Sequence, residues 1–155
     1  MIHSVKFKCV LDTNVIYPLW IRDLLLWFAY YELYTPKWSC NIFDEWIAVM
    51  IRKGIDEKEA LQRAHKMNLA FPDALVDNYE PLIETIELPD INDRHVLAAA
   101  IKTNANLIIT NNIKDFPAEI LATHGLKTKT ADDFLTDIID LNQDVAVEAF
   151  REMVL

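Results

Sequence analysis

Glycine is nearly absent from this chain: of 155 residues, only Gly54 and Gly125 are glycine. Neither G-x-G-x-x-G nor a P-loop can be written with them, so the glycine-rich phosphate cradles of nucleotide-binding folds are excluded. Cysteine is equally sparse. Cys9 and Cys40 form no close pair and no C-x-x-C, which fits a reducing compartment rather than a disulfide scaffold. Long apolar runs are missing too. The most hydrophobic stretch, Leu24–Ala29, is flanked by Asp23 and Glu32 and falls far short of the about 20 residues that a bilayer span needs. It reads as core or interface. The N-terminus runs straight into a strand pattern, and no signal peptide is expected. Basic charge is in deficit, with 15 Lys and Arg against 24 Asp and Glu and a net charge of −9. That balance argues against holding nucleic acid mainly by non-specific attraction to phosphate. It leaves room for a nucleic-acid enzyme whose metal ions supply the positive charge, and otherwise describes a soluble cytoplasmic protein with solvated acidic faces.

What is present is a globular composition, 52% hydrophobic, of a length that suits one domain covering residues 1–155. Residues 5–11 read as a strand by their apolar and β-branched content. Pro18 stands in the first turn of a helix over 18–30, and Glu32–Pro36 is a short strand-like connector. Ser39 caps a helix over 40–52 that Gly54 ends. Asp56 with Glu59 writes a capping box for a helix over 57–70, closed by Pro72. The alternation in 82–88 predicts a strand or strand-like segment, and Pro89–Asn92 predicts a turn and cap. An alanine-rich helix is expected over 93–104. A strand buried on both faces follows at 107–110, then helices near 131–139 and 143–153. Strands separated by helices predict an α/β three-layer sandwich with a mostly parallel central sheet. In such sheets sites gather at the carboxyl ends of the strands. Asp12 follows the first strand, and Asn111 and Asn112 follow the strand at 107–110, so all three share one sheet edge.

Two further acids point to that edge. Asp93 opens the helix that precedes the second of these strands, where an acid also suits the helix dipole. Glu45 lies on the shoulder of the apolar face formed by Ile42, Trp46, Val49 and Met50, whereas Asp44 points away. A half-buried carboxylate is costly unless paired, by a core-edge Arg or Lys or by a metal or metal-bound water. If Asp12, Glu45 and Asp93 meet, their mutual repulsion raises their pKa values, and a divalent cation relieves it. All-oxygen donors suit Mg²⁺ or Mn²⁺, ions that activate water against a phosphodiester and stabilise the leaving oxygen.

With "VLDTNV" at 10–15, "WSCNIFDEW" at 38–46, "DINDRHVLAAAIKTNANLIITNN" at 90–112, "KDFP" at 114–117 and "DDFL" at 132–135, the chain resembles the PIN-domain ribonucleases, and among them the VapC-like toxins of prokaryotic toxin–antitoxin systems. The resemblance runs from Val10 to about Leu135. It implies a PIN-like fold that takes in the C-terminal helices at 131–153, and a Mg²⁺- or Mn²⁺-dependent endoribonuclease leaving 5′-phosphate and 3′-hydroxyl ends. Asp12, Glu45 and Asp93 would be its acids, and Asn14 and Thr110 their polar supports. It further implies an RNA substrate, a small antitoxin partner and a possible homodimer. Many relatives carry a fourth acid where this chain has Asn112. An amide oxygen still coordinates a hard cation but brings no charge. Asp115 is placed equally well as a substitute ligand and as a helix cap.

The same departure sustains a rival, a non-catalytic PIN-like RNA- or protein-binding module with a weakened metal site. An aspartyl phosphatase is disfavoured by Asn14, since that chemistry wants a second acid there. A receiver domain is disfavoured because no acidic pair precedes Asp12. His95 is expected to be structural or to support a ligand from behind, while His3, His65 and His124 show no metal spacing. Two of Trp20, Trp27, Trp38 and Trp46 are expected in the core. Trp20 and Trp27 share a face with Leu24 that is either core or a groove for an antitoxin helix. Of the bases near the acidic edge, Arg94 and Lys114 are better placed for RNA phosphates than Arg22 and Lys37.

Overall fold

The run Cys9-Val10-Leu11 is apolar on both faces, as a strand covered by helices on either side must be. In the computed structural model, which describes residues 7–155, these three side chains are buried at the centre of the sheet as part of β1 (Lys8–Leu11). Val5 and Lys6 of the expected strand, and His3, lie outside the described residues. β1 pairs in parallel with β2 (Thr35–Lys37) through Cys9 opposite Pro36, and with β3 (Leu107–Ile109) through Val10 opposite Ile108. β3 in turn pairs in parallel with β4 (Lys127–Lys129), giving the order β2-β1-β3-β4. Pro36, lacking an N–H, is accommodated because β2 is an edge strand.

Helices flank this four-stranded parallel sheet and complete the three-layer sandwich. A single turn, α1 (Thr13–Ile16), follows β1 directly, and α2 (Leu19–Tyr30) starts behind Pro18. α3 (Cys40–Arg52) begins where the Ser39 hydroxyl accepts the Ile42 N–H, and Gly54 beyond its end takes φ +96°, a conformation that favours glycine. α4 (Glu57–Ala70) packs on α3. Its expected capping box does not form. Asp56 makes no side-chain cap bond, and Glu59 instead pairs with Arg63 one turn on.

The strand expected at 82–88 is not there. Pro81 opens a short helix, α5 (Glu80–Ile83), and the Thr85 hydroxyl closes onto the Leu82 carbonyl. Proline's fixed φ suits a helix start, and of the alternating apolar residues only Ile86 is fully buried. Asp90 caps a 3₁₀ turn at Ile91–Asp93 that leads into α6 (Arg94–Lys102). Ala98, Ala99 and Ala100 are buried, and α6 contacts both β1 and β3. α7 (Ala118–Ala122) precedes β4, and α8 (Ala131–Leu141) and α9 (Gln143–Val154) close the chain, with α9 against α2. Trp38 and Trp46 are core residues, linked through Phe43, whereas Trp20 is 73% exposed. Among the described residues no helix is long and apolar enough to cross a membrane.

Candidate active site

The site is built where β1 and β3 end side by side. The Asp12 N–H is still part of the sheet, donating to the Ile109 carbonyl at 3.1 Å. Its side chain then turns the chain into α1, with Oδ1 accepting the Thr13 N–H at 2.8 Å. Oδ2 accepts from the Thr110 hydroxyl at 2.9 Å and the Asn14 amide at 3.1 Å. The Asn14 amide also donates to Thr110 Oγ1 at 3.0 Å, and its Oδ1 accepts the Asn111 N–H at 2.8 Å. Thr110 Oγ1 accepts the Asn112 N–H as well, at 3.1 Å. Asn14 and Thr110 thus weld the two strand ends together around one carboxylate. Asp12 is only 6% exposed. Burial raises its pKa, and the Thr110 and Thr13 bonds oppose that rise. Three accepted bonds leave about one of a carboxylate's four lone-pair positions free.

Glu45 reaches the same end from α3. Its Oε1 accepts the Thr13 hydroxyl at 2.8 Å, and its Oε2 lies 3.3 Å from His95 Nε2. The partners of this half-exposed carboxylate are therefore a hydroxyl and an imidazole, not the Arg or Lys of the alternative reading. His95, buried on α6, supports Glu45 from behind, and its Nδ1 has no partner.

Asp93 stands at the N-cap of α6 and makes no cap bond there. Its Oδ2 is buried with no hydrogen-bond partner at all. The helix dipole favours its anion, yet the opposing causes win. Burial first, then the charges of Asp12, Asp115, Asp90 and Glu45, push its pKa up to about 6. All the expected acids thus act on one carboxylate. Asp115 takes part in this field and does not cap α7, whose N-cap is Pro117. Asn112 is exposed, and its backbone rather than its amide is engaged.

Arg94 Nε donates to the Ile91 carbonyl at 3.3 Å, and Lys114 lies exposed in the 3₁₀ turn Ile113–Asp115. Lys37 is tied to the Asp73 carbonyl, and Arg22 to the carbonyls of Ile16 and Tyr17. Among the described residues, no three His, Cys, Asp or Glu side chains stand close enough to cage a metal by themselves. Mg²⁺ does not need such a cage, because it is commonly held by one or two carboxylates, waters and substrate phosphate. The orphaned Asp93 oxygen, the free position on Asp12 and the all-oxygen donor set fit such an ion.

Thr13 has no role in the reading of the sequence, and Asn111 is placed there at the sheet edge without a function. Thr13 alone connects Asp12 to Glu45, through its N–H and its hydroxyl. The polar triplet Asp12-Thr13-Asn14 was the only local sign of it.

A parallel sheet with Asp12 at the end of a central strand, and Glu45 from α3 and Asp93 from the start of α6 brought to the same edge, defines an α/β domain with an acidic site, and comparison names the family. The family model described as "PIN domain" matches residues 8–114, and the chain belongs to that family. It is also 42% identical over 62 residues to "Putative ribonuclease VapC50" of Mycobacterium tuberculosis (strain ATCC 25618 / H37Rv). The shared stretch covers 40% of this chain and 37% of that relative. No solved structure matches the chain.

Proposed function

We propose that this protein is a divalent-metal-dependent endoribonuclease, the toxin of a toxin–antitoxin pair, that hydrolyses RNA phosphodiesters. The observation that carries the proposal is the buried, unpartnered Oδ2 of Asp93 in the field of Asp12, Asp115 and Glu45. An orphaned carboxylate oxygen among like charges is unfavourable unless a cation completes it. Asp12 and Asp93 would hold Mg²⁺ or Mn²⁺, with Asp115 and the Asn112 amide at the margin. When bound, the ion supplies Lewis-acid stabilisation of charge on the phosphodiester oxygens.

The chain's own residues do the rest. Thr110 and Asn14 fix the Asp12 carboxylate. Glu45, anchored by Thr13 and His95, holds the attacking water and takes its proton at a carboxylate oxygen, for attack in line on phosphorus. Arg94 and Lys114 contact RNA phosphates beside the acids. On this reading the whole chain, including α8 and α9, works as one PIN domain in the cytoplasm, as a homodimer held in check by a small antitoxin protein. The test compares RNA cleavage by wild type and Asp12→Asn with Mg²⁺ or Mn²⁺. Cleavage that persists in EDTA and in the variant overturns the proposal.

Two observations favour a second reading, a PIN-like binding module without catalysis: among the described residues no three-ligand cage is formed, and Asn112 brings no charge. Calorimetric titration separates the two. No heat of binding at millimolar Mg²⁺ or Mn²⁺ supports the module, and saturable binding supports the nuclease.

A further inference from the structure

Next along the chain from the acidic centre lies a cleft lined by apolar, aromatic and basic side chains. Its volume is about 590 Å³, and Tyr17, Arg22, Trp46, Lys53 and Arg63 are among the residues that line it. It adjoins the proposed catalytic machinery through the chain itself. Tyr17 closes the single turn that Asp12 opens, its N–H donating to the Thr13 carbonyl. Trp46 follows Glu45 on α3.

Three cations share this cleft in a chain of net charge −9. Arg22 lies over Trp46, its guanidinium carbon 5.0 Å from the ring centroid, with one nitrogen bonded to the Ile16 and Tyr17 carbonyls. Lys53 lies 5.6 Å from the Tyr17 ring centroid. Arg63 reaches in from α4, where it pairs with Glu59 one turn earlier. Burial lowers the Arg22 pKa; the neighbouring Asp23 carboxylate opposes that shift, and the Arg63 charge adds to it more weakly. Trp46, 1% exposed, also carries a buried indole N–H without an acceptor. Three basic side chains on one cleft, two of them set over aromatic rings, suit an anion.

We propose that this cleft is a subsite for a backbone phosphate of the RNA strand, flanking the bond cut at the acidic centre. Arg22 is the fixed donor, and Lys53 and Arg63 are the mobile ones. The overall negative charge then keeps RNA off most of the surface while this edge admits it. The inference rests on the ribonuclease reading and names how its substrate is held.

The test measures binding of a short, mixed-sequence, fluorescently labelled single-stranded RNA to the full chain by anisotropy in EDTA, where no cleavage occurs. Each phosphate contact on a single strand contributes about 0.7 to the slope of log affinity against log salt. Lys53→Ala with Arg63→Ala is therefore expected to reduce that slope by about 1.4, which is roughly a 25-fold loss at about 0.1 M salt. Lys53→Ala alone gives half the slope change, and the charge-preserving pair Lys53→Arg with Arg63→Lys retains binding. Unchanged binding by the alanine pair, with wild type still cutting RNA, overturns the subsite and leaves the nuclease standing. Wild type that neither binds nor cuts removes both. Polyglutamate displacing the RNA as well as unlabelled RNA does overturns the phosphate assignment in favour of an acidic protein segment.

Discussion

The Thr110 hydroxyl makes three hydrogen bonds in the site, and Thr110→Val removes it while keeping the shape of a fully buried side chain. Three bonds go with it: the donor to Asp12 Oδ2, and the acceptor for the Asn14 amide and the Asn112 N–H. Asn14 keeps its second acceptor on Asp12, and Asn112 is at the surface, so the main loss is the bond to the buried carboxylate. A hydrogen bond to a charged group contributes about 1.5–3 kcal/mol, against about 1 kcal/mol for a neutral one. The variant should therefore lose about 2–3 kcal/mol at pH 7 in urea melts, and its melting temperature should fall by about 4–12 °C for a chain of this size. The Thr110 bond is the largest cause holding the Asp12 pKa down against burial. Its removal should raise that pKa further. Once Asp12 is protonated in acid, the loss should shrink towards about 1 kcal/mol. A loss below about 0.5 kcal/mol at pH 7, or one that does not change between pH 7 and pH 4, would refute the argument that this hydroxyl serves an ionised, desolvated carboxylate.

Asp93 should make the protein more stable in mild acid. Its folded pKa of about 6 lies above its ordinary 3.8, so the native state holds the extra proton and stability falls as pH rises from about 4 to about 6. In EDTA, Asp93→Asn should flatten that part of the profile, and Mg²⁺ at pH 7 should raise the melting temperature of wild type but not of the variant. Equal pH profiles would speak against it. Thr13→Val frees Glu45 from α1 without removing an acid. RNA cleavage should fall roughly tenfold to a hundredfold, in the range of a mispositioned catalytic group, while calorimetric Mg²⁺ affinity stays within a few-fold. Ile108→Ala empties the middle of β3, where the side chain is fully buried, and should cost about 2–5 kcal/mol in denaturant unfolding.

Much of this was legible in the chain, for identifiable reasons. α3 and α4 carry their own punctuation, with Ser39, Gly54, Asp56 and Pro72 bracketing 3.6-residue patterns, and their observed bounds coincide with those expected. Glu45 was legible from the same pattern, because a carboxylate on the shoulder of an apolar face is visible in one dimension. The failures share the opposite property. α1 is one turn long and has no period to read. β4 is the edge strand Lys-Thr-Lys, with no apolar signal. The segment 82–88 alternates like a strand, but Pro81 had already committed its start to a helix. In the site, the contacts of Thr13 and His95 with Glu45 link distant parts of the chain, and no spacing rule within one element registers them.

The weld between the ends of β1 and β3 has a consequence for how the molecule comes into being. Asp12 leaves the ribosome early, but the hydroxyl that holds it arrives nearly a hundred residues later, since Thr110 and Asp12 are 98 positions apart. During synthesis the first half of the chain carries an unsupported carboxylate and an incomplete sheet. Loop-closing contacts of this reach form late. On the nuclease reading, a polypeptide that ends before Thr110 lacks the hydroxyl that holds Asp12, and activity would await translation of most of the chain.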